Sequence, residues 1–284
     1  MPGFTTSDGV RLHYLDEGRG PPVLCLAGLT RNSADFSYLA PFLADTRLIR
    51  LDYRGRGQSG RPEDFMSYNI LREGQDAVEL LDHLGIGRVT LIGTSRGGLI
   101  AMALSLEHRA RLNGVVLNDI GPEVAAEGLG RIMDYVGKTP PYPDLDSAAR
   151  ALKAGNEAAF PGVPLERWRE QAEFMWFELP TGGGIGLRYD PRLRDALIGQ
   201  AGAGQAPDLW QLFDGLRGLP LASIRGANSD LFTAATQAEM AARHPGMIAA
   251  VVPDRGHVPF LDEAEALTAI RALLDRATGS MGAT

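Results

Sequence analysis

The chain has 284 residues, of which 44% are hydrophobic and 22% charged, and its net charge is −7. These proportions belong to an ordinary globular protein and exclude a disordered, collagen-like or coiled-coil chain. The acidic balance argues against nonspecific nucleic-acid binding, and no apolar run approaches the ~18 residues that a membrane span needs. A soluble, cytoplasmic protein with neither a nucleic-acid nor a membrane partner is the expectation. At about 150 residues per domain the length corresponds to roughly two domains. Cys25 is the single cysteine, so no intrachain disulfide is possible. Lying between Leu24 and Leu26, it reads as core packing.

Strand and helix patterns alternate in the first part of the chain. Residues 10–16 alternate apolar and polar, as a half-buried strand does. A short apolar run at 22–26 ends at Ala27-Gly28, and a second strand follows at 47–52. Apolar residues recur at roughly helical spacing over 68–84, and Gly85 stops that helix. A β-branched strand at 88–93, a buried helix at 98–106 and a strand at 112–117 complete this part. The alternation predicts an α/β fold, a parallel sheet with helices on both faces.

The character changes at Gly121-Pro122. From 122 to 215 the pattern gives helical segments at 130–137, 147–160 and 164–179, with no convincing strand. A glycine cluster at 182–186 breaks the last of them. Strand character returns at 221–225 and 249–252, and a final helix is expected over 263–275.

The strongest chemical signal is Gly93-Thr94-Ser95-Arg96-Gly97. It matches G-x-S-x-G with a strand before it and a helix after it, the context that exposes a serine oxygen above a sheet. Ser95 is therefore the candidate nucleophile, and the following helix aims its positive end at a developing oxyanion. Of the five histidines, His257 follows the strand at 249–252 through a short connection, which puts it at the same sheet edge as Ser95. It is the candidate base. Asp230, four residues past Gly226, is the expected orienting acid, because the order Ser95, Asp230, His257 is the usual one for a serine on such a turn. Asp119, just past the strand at 112–117, is the runner-up. The oxyanion donors are expected to be the backbone N–H groups of Arg96 and Leu29, the latter in the loop after residues 22–26.

Gly55 to Gly60 matches G-x-G-x-x-G, but Arg61-Pro62 follows where a dinucleotide site would open a helix, so nucleotide binding is not expected. No metal-ligand spacing is present either.

Taken together, Leu26-Ala27-Gly28, the run Asp52-Tyr53-Arg54-Gly55-Arg56-Gly57-Gln58-Ser59, the turn around Ser95, Arg225-Gly226 leading to Asp230, and Gly256-His257 resemble the α/β-hydrolase superfamily. The resemblance implies a mostly parallel eight-stranded sheet with helices on both faces and a helical cap inserted after the sixth strand. On that plan residues 1–121 and 216–284 are the core and 122–215 the cap. The cap aromatics would sit over Ser95, with Phe174, Met175, Trp176 and Phe177 expected to touch substrate and Trp168 and Trp210 expected to pack. Where relatives often carry His-Gly, this chain has Ala27-Gly28.

Relatives with a serine at the nucleophile position imply a carboxylesterase or lactonase acting on a small to medium hydrophobic substrate, without a cofactor. C–C bond hydrolysis of ring-fission products and perhydrolysis are alternatives on the same residues. A hydrolase-fold ligand receptor with little turnover is the alternative from another class. Dehalogenases and epoxide hydrolases of this fold use a carboxylate where Ser95 stands and are disfavoured. A homo-oligomer is compatible with the sequence.

Overall fold

A computed structural model of the chain describes residues 2–180, 182–202 and 208–279. The apolar runs fold as β1 (Gly3–Thr5), β2 (Arg11–Gly18), β3 (Pro22–Leu26) and β4 (Arg47–Leu51). Helix α1 (Ile70–His83) leads to β5 (Val89–Thr94), and α2 (Arg96–Glu107) leads to β6 (Leu112–Asn118). The chain returns to the sheet only at β9 (Leu221–Gly226) and β10 (Ile248–Val252), with α8 (Ala234–Arg243) between them and α9 (Ala264–Gly279) after them. Between β6 and β9 lie α3 (Ala126–Tyr135), α4 (Leu145–Asn156), α5 (Leu165–Met175), a hairpin of β7 (Trp176–Glu178) and β8 (Ile185–Leu187), α6 (Leu193–Gly202) and α7 (Leu209–Asp214).

Eight strands form one sheet in the order β1-β2-β4-β3-β5-β6-β9-β10. The pairings of β2 with β1 and with β4 are antiparallel and the others parallel. This is the expected α/β-hydrolase architecture. Its central strands are apolar throughout because both faces are covered, and successive side chains divide between two cores. On β3, Leu24 and Leu26 join the cluster under α1 and α2, while Val23 and Cys25 join the one under α9. On β6, Val115 and Leu117 face the first cluster and Val116 the second. Burial pushes the Cys25 thiol pKa well up, consistent with packing rather than chemistry.

The segment between β6 and β9 has an apolar cluster of its own, including Val136, Phe160, Trp168, Trp176 and Leu193. Tyr68 from the sheet-bearing part enters the same cluster, and its hydroxyl donates to Asp190 at 2.7 Å. The helix expected over 164–179 is shorter than its pattern. It ends at Met175, and Trp176 to Glu178 pair with Ile185 to Leu187. Gly182, Gly183 and Gly184 take φ of 64°, 118° and 125°, values that L side chains disfavour and a tight reversal needs. Strand β1, three residues long, is too short to show a period. Among the described residues, no helix is long and apolar enough to cross a membrane.

Candidate active site

Ser95 sits between β5 and α2 with φ of 51°, a strained turn that lifts its side chain above the sheet edge. The turn forbids side chains two residues to either side of it. A Cβ on Gly97 would lie 2.0 Å from the carbonyl oxygen of Leu26, and one on Gly93 would lie 2.5 Å from the backbone of Gly97. The G-x-S-x-G spacing is thus a close-approach requirement between β3, β5 and α2. Arg96 opens α2, so its N–H belongs to the first turn, whose donors have no partner within the helix. The loop after β3 lies alongside: a Cβ on Gly28 would stand 3.9 Å from Ser95 Cβ. Leu29 follows directly, so both expected oxyanion donors belong to backbone that flanks Ser95.

His257 reaches Ser95 from the loop after β10, with Nε2 3.0 Å from Ser95 Oγ. Its other nitrogen, Nδ1, is 2.7 Å from Asp119 Oδ2. A neutral imidazole protonated at Nδ1 satisfies both contacts, donating to the carboxylate and accepting from the serine hydroxyl. His257 is 19% exposed at its side chain and Asp119 fully buried. Asp119 comes immediately after β6 at φ 54°, a left-handed conformation that aspartate tolerates better than most residues. Its carboxylate is held from two further sides. The Gly226 N–H donates to Oδ1 at 2.7 Å, and the Ser229 hydroxyl donates to Oδ2 at 2.6 Å. Asn118 ties the same edge together, donating to Pro259 O at 3.2 Å and to Thr94 Oγ1 at 3.1 Å.

The expectation that Asp230 orients His257 is corrected by this arrangement. After β9 the chain turns back on itself, with Ser229 N–H donating to Gly226 O at 3.0 Å. That turn aims Ser229 inward and Asp230 away, toward α3, where it pairs with Arg131 at 2.5 Å. The chain-order rule misplaced the acid. The signal for Asp119 was its position: with no spacer after β6, its side chain has nowhere to emerge but at the sheet edge.

The four aromatic-region residues divide. Trp176 is buried in the cluster of the inserted segment. Phe177 is 37% exposed, its ring lying over Gly186 across the hairpin and its face toward Arg188. Strand alternation explains the split, since neighbours point to opposite faces. Phe174 and Met175 stand where α5 meets the loop after β3. The Phe174 ring is 5.7 Å from that of Tyr38, and its carbonyl accepts from Asn32 Nδ2 at 2.7 Å. Arg31 Nη2 donates to Gln171 in the same joint, at 2.5 Å. Trp168 packs against Phe160 and Phe260 in the cluster of the inserted segment, as expected, whereas Trp210 is only partly buried and lies against Phe213 of the sheet core and against Arg243.

Residues 23–270 match the alpha/beta hydrolase family. The chain is 34% identical to the 3-hydroxybutyrate-oligomer hydrolase of Cupriavidus necator over 89% of its own length and 88% of that protein. It is 28% identical to the 2-(acetamidomethylene)succinate hydrolase of Mesorhizobium japonicum, covering 87% and 85% of the two chains. A solved alpha/beta hydrolase from Novosphingobium aromaticivorans superposes with a TM-score of 0.90 at 42% identity, over 97% of each chain. A serine elbow, a histidine loop and a buried acid at the carboxyl edge of this sheet, together with these likenesses, place the chain in the alpha/beta hydrolase family.

Proposed function

We propose that the protein hydrolyses a carboxylic ester or lactone bond in a small hydroxyacid-derived substrate through Ser95, His257 and Asp119. The observation that carries this reading is the unbroken hydrogen-bond chain from Ser95 Oγ through the imidazole to Asp119. In the reaction, His257 Nε2 takes the Ser95 proton as Oγ attacks the carbonyl carbon. Asp119 fixes the tautomer and stabilises the imidazolium. The N–H groups of Leu29 and Arg96 hold the oxyanion; losing one such donor typically costs about 10²–10³ in rate. Collapse expels the alcohol with the proton from His257. Water, deprotonated by the same nitrogen, then releases the acid from Ser95. No cofactor enters any step.

The segment 122–215 serves as the cap over this site, with Phe174 and Met175 as its contacts to the acyl group, and residues 1–121 and 216–284 form the core. We read the protein as a cytoplasmic enzyme acting on a small molecule. Similarity to the 3-hydroxybutyrate-oligomer hydrolase favours a short oligoester as substrate. A second reading, hydrolysis of a non-ester bond on the same residues, draws on the likeness to 2-(acetamidomethylene)succinate hydrolase.

The test is turnover of a p-nitrophenyl ester, a γ-lactone, the linear dimer of 3-hydroxybutyrate and 2-(acetamidomethylene)succinate. The esters are expected to be hydrolysed and the Ser95→Ala protein to lose at least about 10⁴-fold in kcat while melting normally. Undiminished turnover by Ser95→Ala would remove the serine mechanism. Turnover of the succinate derivative alone would replace the ester reading with the second one.

A further inference from the structure

Behind the site lies a group of ionised side chains that the reaction above does not use. Arg56 and Glu73 are fully buried and Arg96 is 7% exposed. Glu73 gives one carboxylate oxygen to each arginine. Arg56 Nη1 donates to Oε1 at 2.6 Å, and Arg96 Nε donates to Oε2 at 2.6 Å. Arg96 Nη2 also donates to Tyr68 O at 3.0 Å, and Arg56 Nη1 to Arg54 O at 2.8 Å. Arg56 Nε, finally, donates to the carbonyl of Leu29 at 2.9 Å. One continuous chain of hydrogen bonds therefore joins the Leu29 loop to the residue that opens α2.

The charges within this group do not cancel. Two guanidiniums face one carboxylate, which leaves one formal positive charge. Arg56 Nη2 is buried with no hydrogen-bond partner, and its guanidinium instead lies 5.6 and 5.2 Å from the ring centroids of Tyr53 and Tyr68. Burial lowers the Arg56 pKa against the attraction of Glu73, but a guanidinium stays protonated at any working pH. Burial alone would raise the Glu73 pKa, and the two guanidiniums outweigh it and hold it below the usual carboxylate range. A buried ion cluster is costly to assemble, and replacing it by apolar side chains is often neutral or stabilising. Stability is therefore a poor explanation for its presence beside Ser95.

We infer that Arg56, Glu73 and Arg96 form a positioning device for the oxyanion site, fixing the Leu29 loop against the start of α2 and holding uncompensated positive charge behind both donors. The inference rests on the serine-ester reading. A fixed charge in a water-poor setting acts when negative charge develops on the carbonyl oxygen and does little for the neutral ester. It should therefore show in kcat and hardly in KM.

Arg56→Met and Arg96→Met test this, because each removes the excess charge and leaves Glu73 paired with the remaining arginine, so that neither strands a lone buried ion. Each is measured with p-nitrophenyl butyrate, with active sites counted by titration, and with an alkylboronic acid that forms a tetrahedral adduct on serine. We expect kcat per titrated site to fall about 10–100-fold with KM changed by less than about 3-fold. The boronate inhibition constant should rise by about the same factor as kcat/KM falls. A purely structural role would lower the melting temperature and leave kcat per site and boronate affinity unchanged, and that result overturns the inference. The wild type and Ser95→Ala run alongside separate the two levels. Arginine variants with unaltered kinetics beside an inactive Ser95→Ala sink this inference alone, whereas an active Ser95→Ala sinks the reading beneath it.

Discussion

Strands β6 and β9 are neighbours, run parallel, and each is followed by an aspartate near the carboxyl edge of the sheet. The loop after β6 is no loop at the point that matters: Asn118 ends the strand and Asp119 is the next residue, fully buried among three donors. The loop after β9 has three residues to spend before Asp230, and it spends them on a turn. That turn presents a hydroxyl, Ser229, to the site and sends the carboxylate to a half-open ion pair with Arg131. The distance between a strand end and a functional group decides which side chain arrives. A zero-length connection aims a residue by the strand's own geometry, and a longer one hands the choice to the turn.

Substitutions can break this comparison or sharpen it. The largest effect is expected at Asp119. Asp119→Asn keeps the shape and removes the charge, so His257 loses its preferred tautomer, and kcat should fall about 10³–10⁴-fold in steady-state assays. A loss under ten-fold would return the orienting role to another group. Gly97→Ala comes next, as a stability effect. Its Cβ would lie 2.0 Å from a strand carbonyl, and several kcal/mol of destabilisation is expected by chemical denaturation. Ser229→Ala removes one of the three donors to Asp119 and should lower kcat about 10–100-fold, the scale of a hydrogen bond to a charged acceptor. The smallest effect is expected at Asp230. Its partner Arg131 is 58% exposed, so solvent screens the pair, and Asp230→Asn should cost at most about 1 kcal/mol and leave kcat within about 3-fold. A kinetic defect at Asp230 as large as the one at Asp119 would collapse the distinction between the two loops.

The same contrast explains what the sequence could show. The central strands were legible because each carries two buried faces, and β3 runs over the residues its apolar run predicts. Ser95 was legible because glycine is required on both sides of it by contacts with Leu26 and Gly97. His257 was legible from its short connection to β10. Asp119 was visible as a candidate, but choosing it over Asp230 needs the path of the turn at 226–229, which no local pattern encodes. The hairpin after α5 was hidden for a related reason. Trp176 and Phe177 fit a helical apolar stripe as well as a strand, and only the pairing with Leu187 and Gly186 decides between them. The Arg56–Glu73–Arg96 cluster lay in plain view as three charged residues, but burial is a property of the fold and not of the residue type.

The Asp119 carboxylate has one more consequence. Its three donors come from the end of β9, from the turn beyond it and from the segment after β10, and the aspartate itself ends β6. A one-residue slip of either pairing would shift these strand ends against one another and pull the donors away from the carboxylate. Hydrolysis is then a report on strand alignment. During refolding, activity should return only after both pairings have locked, later than helical circular dichroism. A misaligned molecule that kept all its helices would be silent toward substrate.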